Sequence, residues 1–565
     1  MPAEGIGCHG IPPVEKLFRR NAPRGHRSLL SRPLVAPGTS QARTDGALPG
    51  FQYHPAMGSG AQRGEDRVAL RSTLPVVLGL AIASLALRVL DLDYNGPFID
   101  ESFHAVVAAY GNVPHLTGDV LLYPQLSRLE HAHYGLVGAR ALSAVFGALT
   151  VACVFGIAAI VARRFVSDDA VVYVATGAAG LFAVSAPPLF VSQFANYYAL
   201  SFLLFAFACW ATLRGLETGD RTALAIGAVA VVAACATRYL LLGFLPIALW
   251  VVAARTPGSG VRAPRAAFWI PFACAFLAYT TWNHTHIVEA LRHAQQSGTG
   301  VGGAGSLPQR WLVLREALGR TAPVMLLAGI GLVTTALRTW RGGAEEDRAQ
   351  RFDVLWLAVG SLWMTGYHVA FAHDLTMESN LTVSLIFAAV LAGLGLHRIA
   401  AAVTPRTHGR LAWALLAAAV AATALHARPI VAEDQTWPDW RPVVAAAASR
   451  GAGDAAAIWS TADNGGMRNS WGVRAATAEM SGNVWQLRAA FGPGVDVGSA
   501  WRHPRIDELL RLARRSGVEF VIGPLPIRNL AVGQRVRGFV VTDVVDVPFG
   551  PAAYILRRTD RSARD

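Results

Sequence analysis

The chain is 565 residues long, 53% hydrophobic and only 15% charged, with a mean hydropathy of +0.36. That balance excludes an ordinary soluble domain, and repeated apolar runs of roughly 16 to 25 residues set the class as a polytopic helical membrane protein. The net charge of +13 does not mark a nucleic-acid binder, because the basic residues sit mainly in short loops between apolar runs and report topology instead.

Residues 1–68 are rich in Gly, Pro, Arg and Ser, lack apolar periodicity and read as a disordered tail on the cytoplasmic side. No apolar stretch typical of a signal peptide precedes residue 74, and Met57 is an alternative start. The transmembrane domain is expected over 69–426. About eleven spans are expected, near 73–91, 135–161, 170–187, 189–212, 222–237, 240–254, 266–282, 321–337, 353–371, 380–396 and 411–426. Ten basic residues precede the first span, and Arg163/Arg164, Arg214/Arg221, Arg255/Arg262/Arg265, Arg338/Arg341/Arg348/Arg351 and Arg398/Arg406/Arg410 fall on the same side. By the positive-inside rule that side is the cytoplasm of an inner, plasma membrane. The loops 92–134, 283–320 and 372–379 then face outward, as does everything from 427 on. Residues 427–565 read as a soluble extracytoplasmic α/β domain: a helix near 439–450, a strand at AAIWS, an amphipathic helix at RIDELLRLARRSG, and strands at VEFVIG, GFVVTDVVDV and AAYILRR. Cys8 lies in the tail, and Cys153, Cys209, Cys235 and Cys274 fall in apolar runs without metal-ligand spacing, as buried structural thiols do.

Chemistry concentrates in the long loop 92–134 and at the outer helix ends. Asp100 and Glu101, in PFIDESFHA, open a short amphipathic helix over 101–110 that Gly111 stops. Asp100 stands at the N-cap, so its plain reading is a capping side chain; the chemical one is a base facing lipid head groups. Arg140 and Arg238 lie near outer helix ends, with Arg128 in the loop. Each is a candidate for a phosphate, against the alternative of snorkelling or pairing with a carboxylate. His104, His131 and His133 share the loop without a third ligand at metal spacing, and His373–Asp374 occupies another outer loop. No cofactor is required by the sequence, and a divalent cation (Mg or Mn) is compatible with it. Gln193, Asn196, Tyr197 and Tyr198 in SQFANYYAL read as an aromatic belt or as a sugar-contacting surface. SGTGVGGAGS reads as a flexible outer loop rather than a phosphate cradle, since no helix with Lys-Ser/Thr follows.

The Asp-Glu after the first span, the stretch GARALSAVFGALTVACVFGIAA, Pro187–Pro188 followed by SQFANYYAL, and the outer tail opening with PDWRPV resemble the GT-C superfamily of membrane glycosyltransferases. That group uses polyprenyl-phosphate sugars and includes protein O-mannosyltransferases and the aminoarabinose transferases of lipid A. The chain departs from it at LYPQLSRL and MESNLTV, where relatives carry His-Pro-Pro-Leu-like and Arg-Tyr segments. The resemblance implies a GT-C-like membrane domain and transfer from a polyprenyl-phosphate-linked sugar to a protein, lipid or cell-wall polymer. In it Asp100 acts as general base with Glu101 in support, and His104, Gln193, Asn196 and Tyr197 contact substrate. Displacement of phosphate by a single base-activated hydroxyl would invert the anomeric centre. The competing reading is a transporter or flippase, which would place its polar site near the midplane. A scaffold displaying 427–565 would need only one anchoring helix.

Overall fold

The computed structural model describes residues 59–90, 92–95, 101, 123–193, 195–255, 264–301, 306–341, 345–371, 377–403, 409–436, 439–452, 457–458, 506–515, 518–523, 530–548 and 552–559. Helices α1 Ser59–Val89, α2 Tyr123–Ala162, α3 Asp168–Val184, the short α4 Ala186–Val191, α5 Tyr197–Thr218 and α6 Arg221–Thr237 follow in order. A 3-10 segment Tyr239–Phe244 leads into α7 Leu245–Ala254, then α8 Ala266–Val301, α9 Leu307–Arg341, α10 Glu345–Phe371, α11 Met377–Val403 and α12 Arg410–Asp434. Each expected span overlaps helix, with breaks at Ser185 and at 192–196. Among the described residues five stretches are long and apolar enough to cross a membrane by length and composition: 136–162, 197–218, 307–340, 377–403 and 410–434.

Local chemistry sets the breaks. Pro187 falls at the start of α4, and the chain leaves that helix at Ser192. Asn196 then caps α5, its Oδ1 accepting from Tyr198 N at 3.1 Å, so the single span expected over 189–212 is two helices with a turn between them. At the far end of α5 Gly219 takes a left-handed φ of 71°, and Asp220 caps α6 by accepting from Thr222 N and Ala223 N. Three expectations are corrected. The tail expected through 68 already holds helix from Ser59, α2 begins at Tyr123 inside the expected loop 92–134, and α8 runs through 283–301 to Val301. The apolar pattern fades before these helices end, because backbone hydrogen bonding continues past the last residue that needs to be buried.

α11 is the central helix, buried all round from Met377 to Leu396, with polar residues gathered in its first two turns ahead of the apolar run Leu385–Leu396. Gly331 of α9 and Gly395 of α11 let the two backbones touch: a Cβ on Gly331 would strike Leu391 O, and one on Gly395 would strike Leu327 O. A Cβ on Gly393 would meet Val174 O of α3 at 2.5 Å. Phe387 stacks on Phe244 and meets Phe205 and Trp356 edge-on, and Trp356 Nε1 donates to Ile247 O at 3.1 Å. At one end of the bundle Arg255 forks onto Asp353 at 2.8 and 3.0 Å, while Glu217 accepts from both Arg255 and Arg164. Cys209 and Cys235 are buried as expected; Cys274 is exposed, contrary to expectation, because it lies on the outward stripe of α8.

Beyond α12 lie α13 Arg441–Ser449, α14 Ile506–Arg515 and a five-stranded sheet ordered β1-β2-β5-β4-β3. The strands are β1 Ala457–Ile458, β2 Phe520–Gly523, β3 Arg535–Val536, β4 Phe539–Val545 and β5 Ala553–Arg558. β1 and β2 are parallel and the remaining pairs antiparallel. Trp440, Val443, Ala447, Phe520, Ile522 and Ile555 build a separate core under this sheet. The α/β character was legible; β3 was not, being two residues long.

Candidate functional site

At the end of the bundle opposite Arg255, the chain leaving α1, the turn between α4 and α5, and the first turn of α11 converge. Glu101 and Arg140 are fully buried there. Arg140 Nε donates to Glu101 Oε1 at 2.8 Å and Nη2 to Oε2 at 2.7 Å, a planar fork on a carboxylate. The backbone N–H of Ala195 donates to the same Oε1 at 2.6 Å. Arg140 Nη1 donates to Leu92 O at 2.6 Å and Asn95 O at 3.1 Å, and the guanidinium lies 4.5 Å from the Tyr94 ring centroid. One ion pair thus ties together three segments remote in sequence. Arg140 therefore serves as a structural clamp on Glu101 rather than presenting a vacant fork to a phosphate.

Arg238 is arranged differently. It ends α6 in extended backbone, is 4% exposed, and has no carboxylate partner among the described residues. Its Nη2 donates to Ser379 Oγ at 2.9 Å and Asn380 Oδ1 at 2.6 Å, both in the first turn of α11. The guanidinium lies 4.4 Å from the Tyr198 ring centroid, and Nη1 is buried without a hydrogen-bond partner among the described residues. His368 Nε2 stands 3.1 Å from Asn380 Nδ2 behind this group. Ala195, on Glu101, and Tyr198, under Arg238, are three residues apart, so their Cα atoms lie within about 11 Å.

A third buried guanidinium, Arg88 in the last turn of α1, escaped the sequence reading. Its Nε donates to Ser192 Oγ at 2.7 Å and its Nη1 to Ser84, while Nη2 is buried and unpartnered among the described residues. Gly147 leaves the space it fills, since a Cβ there would lie 2.7 Å from Arg88 Nε. In sequence Arg88 is an ordinary cation at a helix C-terminus; the signal that distinguishes it, Gly147 opposite, lies on another helix. Arg88 and Arg238 are thus two guanidiniums at this end of the bundle without a carboxylate partner among the described residues.

The remaining candidates divide into placed and unplaced. Gln193 is buried and its Oε1 accepts from Gln435 Nε2 at 3.1 Å; Gln435 O in turn accepts from Asn95 Nδ2 at 3.1 Å. Asn196 is the α5 cap, and Tyr197 packs edge-on against Tyr198 with centroids 4.6 Å apart. These residues line the same turn that carries Ala195. Asp100, His104, His373 and Asp374 lie outside the described residues, as do the side chains of Arg128, His131 and His133. Nearby, Arg320 holds Glu316, Glu378 and Asp434 at 3.2, 3.0 and 2.5 Å. Among the described residues no group of three or more His, Cys, Asp or Glu is placed to hold a metal ion.

No family model matches the chain, and no curated protein matches it by sequence. Solved structures do match. ArnT from Cupriavidus metallidurans in the apo state is 14% identical, covers 88% of this chain and 99% of its own, and superposes with a TM-score of 0.50. The fold is GT-C. ArnT bound to undecaprenyl phosphate is 14% identical with a TM-score of 0.49 over 86% of this chain and 98% of that one. The Archaeoglobus fulgidus oligosaccharyltransferase in complex with Zn and sulfate is 12% identical, over 79% of this chain and 67% of that one, with a TM-score of 0.49. The expected helical membrane architecture with a small α/β region after it is present, and helices rather than sequence carry the likeness to apo ArnT.

Proposed function

We propose that this protein is a membrane glycosyltransferase that moves a sugar from a polyprenyl-phosphate donor to an acceptor hydroxyl on the outer face of the membrane. The observation that carries the reading is Arg238, a buried cation whose partners among the described residues are all neutral and whose Nη1 has no hydrogen-bond partner among them. Burying such a charge costs several kcal/mol unless an anion compensates it, and a phosphate oxygen matches a guanidinium in charge and geometry. Arg88 adds a second charge at the same end without a carboxylate partner among the described residues, and the shared fold with apo ArnT is consistent with the reading.

The chemistry needs little more. A base removes the acceptor's proton, its oxygen bonds to the anomeric carbon, and the bond to phosphate breaks with the electron pair leaving on phosphate. Arg238 stabilises the negative charge that develops there, and no general acid is needed. Asp100 is the proposed base, joined by one peptide bond to Glu101; Glu101 and Arg140 are positioning residues that fix where that bond sits. One-step displacement inverts the anomeric centre. The alternation of basic loops supports the outward orientation, with the sheet region on the same side as the site. The acceptor is a protein, lipid or cell-wall polymer.

The test compares cellular glycoconjugates in wild type, a deletion, Asp100→Asn and Arg238→Met, at matched membrane abundance. Asn preserves a helix cap, so loss of one glycoconjugate in Asp100→Asn to the deletion level supports the base assignment and names the acceptor class. Wild-type glycosylation in both variants would overturn the proposal.

A further inference from the structure

At the opposite end of the bundle a cavity of about 440 Å³ opens between the ends of α2, α9 and α11 and the start of α10. Its lining holds Arg164, Arg338, His397, Arg398, Gln350 and Ser167, with no Asp or Glu among the lining residues. Arg164 is committed to Glu217 at 2.6 Å and to Asp353 at 3.4 Å behind the wall, and Gln350 Nε2 donates to Arg164 O at 2.6 Å. The other two guanidiniums are not so paired. Arg398 Nη2 reaches only Phe165 O at 3.3 Å, and its Nε is buried with no partner among the described residues. Arg338 makes no ion pair among the described residues and projects from an exposed position on α9. Among the described side chains, Asp168 and Asp169 follow the lining residue Ser167 and are exposed in the first turn of α3.

The level of this cavity matters as much as its charge. The apolar stretches that end beside it stop at Ala162, Trp340 and Val403, within a few residues of Arg164, Arg338 and Arg398. Trp340 is 58% exposed, as an indole at a lipid head-group boundary is. Arginines between helix ends at that level, without a carboxylate partner among the described residues, are the arrangement that recognises anionic head groups. We propose that this cavity binds the phosphate of an anionic phospholipid from the leaflet opposite the transfer site, with Arg338 and Arg398 as its ligands. A phosphodiester offers each guanidinium an oxygen, and the acyl chains have the exposed flanks of α9 on which to lie. The site is independent of sugar transfer and of the residues proposed for it.

The experiment uses the full chain purified in detergent, with native mass spectrometry and thermal midpoints read in parallel. Phosphatidylglycerol and phosphatidylcholine are added separately, and inorganic phosphate at millimolar concentration forms a third arm. Phosphatidylglycerol should be retained and should raise the midpoint, and phosphatidylcholine should do neither. Arg338→Gln, an exposed change with no folding burden, should weaken retention several-fold; Arg338→Gln with Arg398→Gln should weaken it by roughly tenfold or more, and the paired Lys variants should recover part of it. Equal retention by wild type and both Gln variants would overturn the site. Stabilisation by inorganic phosphate with none added by the lipid would overturn the lipid assignment.

Discussion

Replacing Arg238 with Met separates a ligand-binding cation from a structural one. In the unliganded protein Arg238 makes two hydrogen bonds from Nη2, each worth about 1.5–3 kcal/mol for a charged donor, and a cation–π contact of about 0.5–2 kcal/mol. Against these stands the cost of an uncompensated buried ion, several kcal/mol, and one orphaned N–H group at about 1–3 kcal/mol. The terms nearly cancel, and Met fills most of the volume. Arg238→Met should therefore leave the thermal midpoint within a few degrees of wild type or raise it. Its effect belongs to the liganded state. Undecaprenyl phosphate at a hundred times its dissociation constant would stabilise wild type by about 2.7 kcal/mol, and that increment should vanish in the variant. Turnover should fall about 10²–10³-fold, as for loss of one preorganised electrostatic contact. The assay is a thermal scan of the purified full chain with and without the lipid phosphate. A variant that keeps the lipid-induced shift, or that melts far below wild type without ligand, refutes the argument.

Glu101→Gln gives the opposite signature. It strands Arg140 as a buried cation, so about 3–5 kcal/mol should be lost, read as reduced membrane abundance and a lower midpoint, while Glu101→Gln with Arg140→Met should recover much of that loss. Gly147→Ala places a Cβ 2.5 Å from Ser192 Cβ and 2.7 Å from Arg88 Nε; a cost of about 1–3 kcal/mol is expected in the same scan. Gly331→Ala should destabilise strongly because its Cβ would strike the backbone of α11. Gly329→Ala, with nothing within 4 Å, should be neutral or stabilising by up to about 1 kcal/mol, and equal effects at the two glycines would count against the close α9–α11 crossing.

Much of this protein was legible one segment at a time. Apolar runs placed helices and alternating apolar strands separated by Gly placed the sheet after α12, because hydropathy is decided within a few residues; the caps at Asn196 and Asp220 came only with the structure. Arg238 stood out in the sequence for a related reason: a cation at an apolar helix end asks for an anion wherever it occurs. What each charge meets was decided by the tertiary structure. Glu101 and Arg140 are 39 residues apart, Arg88 and Ser192 are 104 apart, and Arg238 and Asn380 are 142 apart. Arg140 and Arg238 look alike in sequence, each at a helix end near the same side of the membrane. Only packing gives one a carboxylate and leaves the other without, because burial makes pairing obligatory and chain connectivity does not specify the partner.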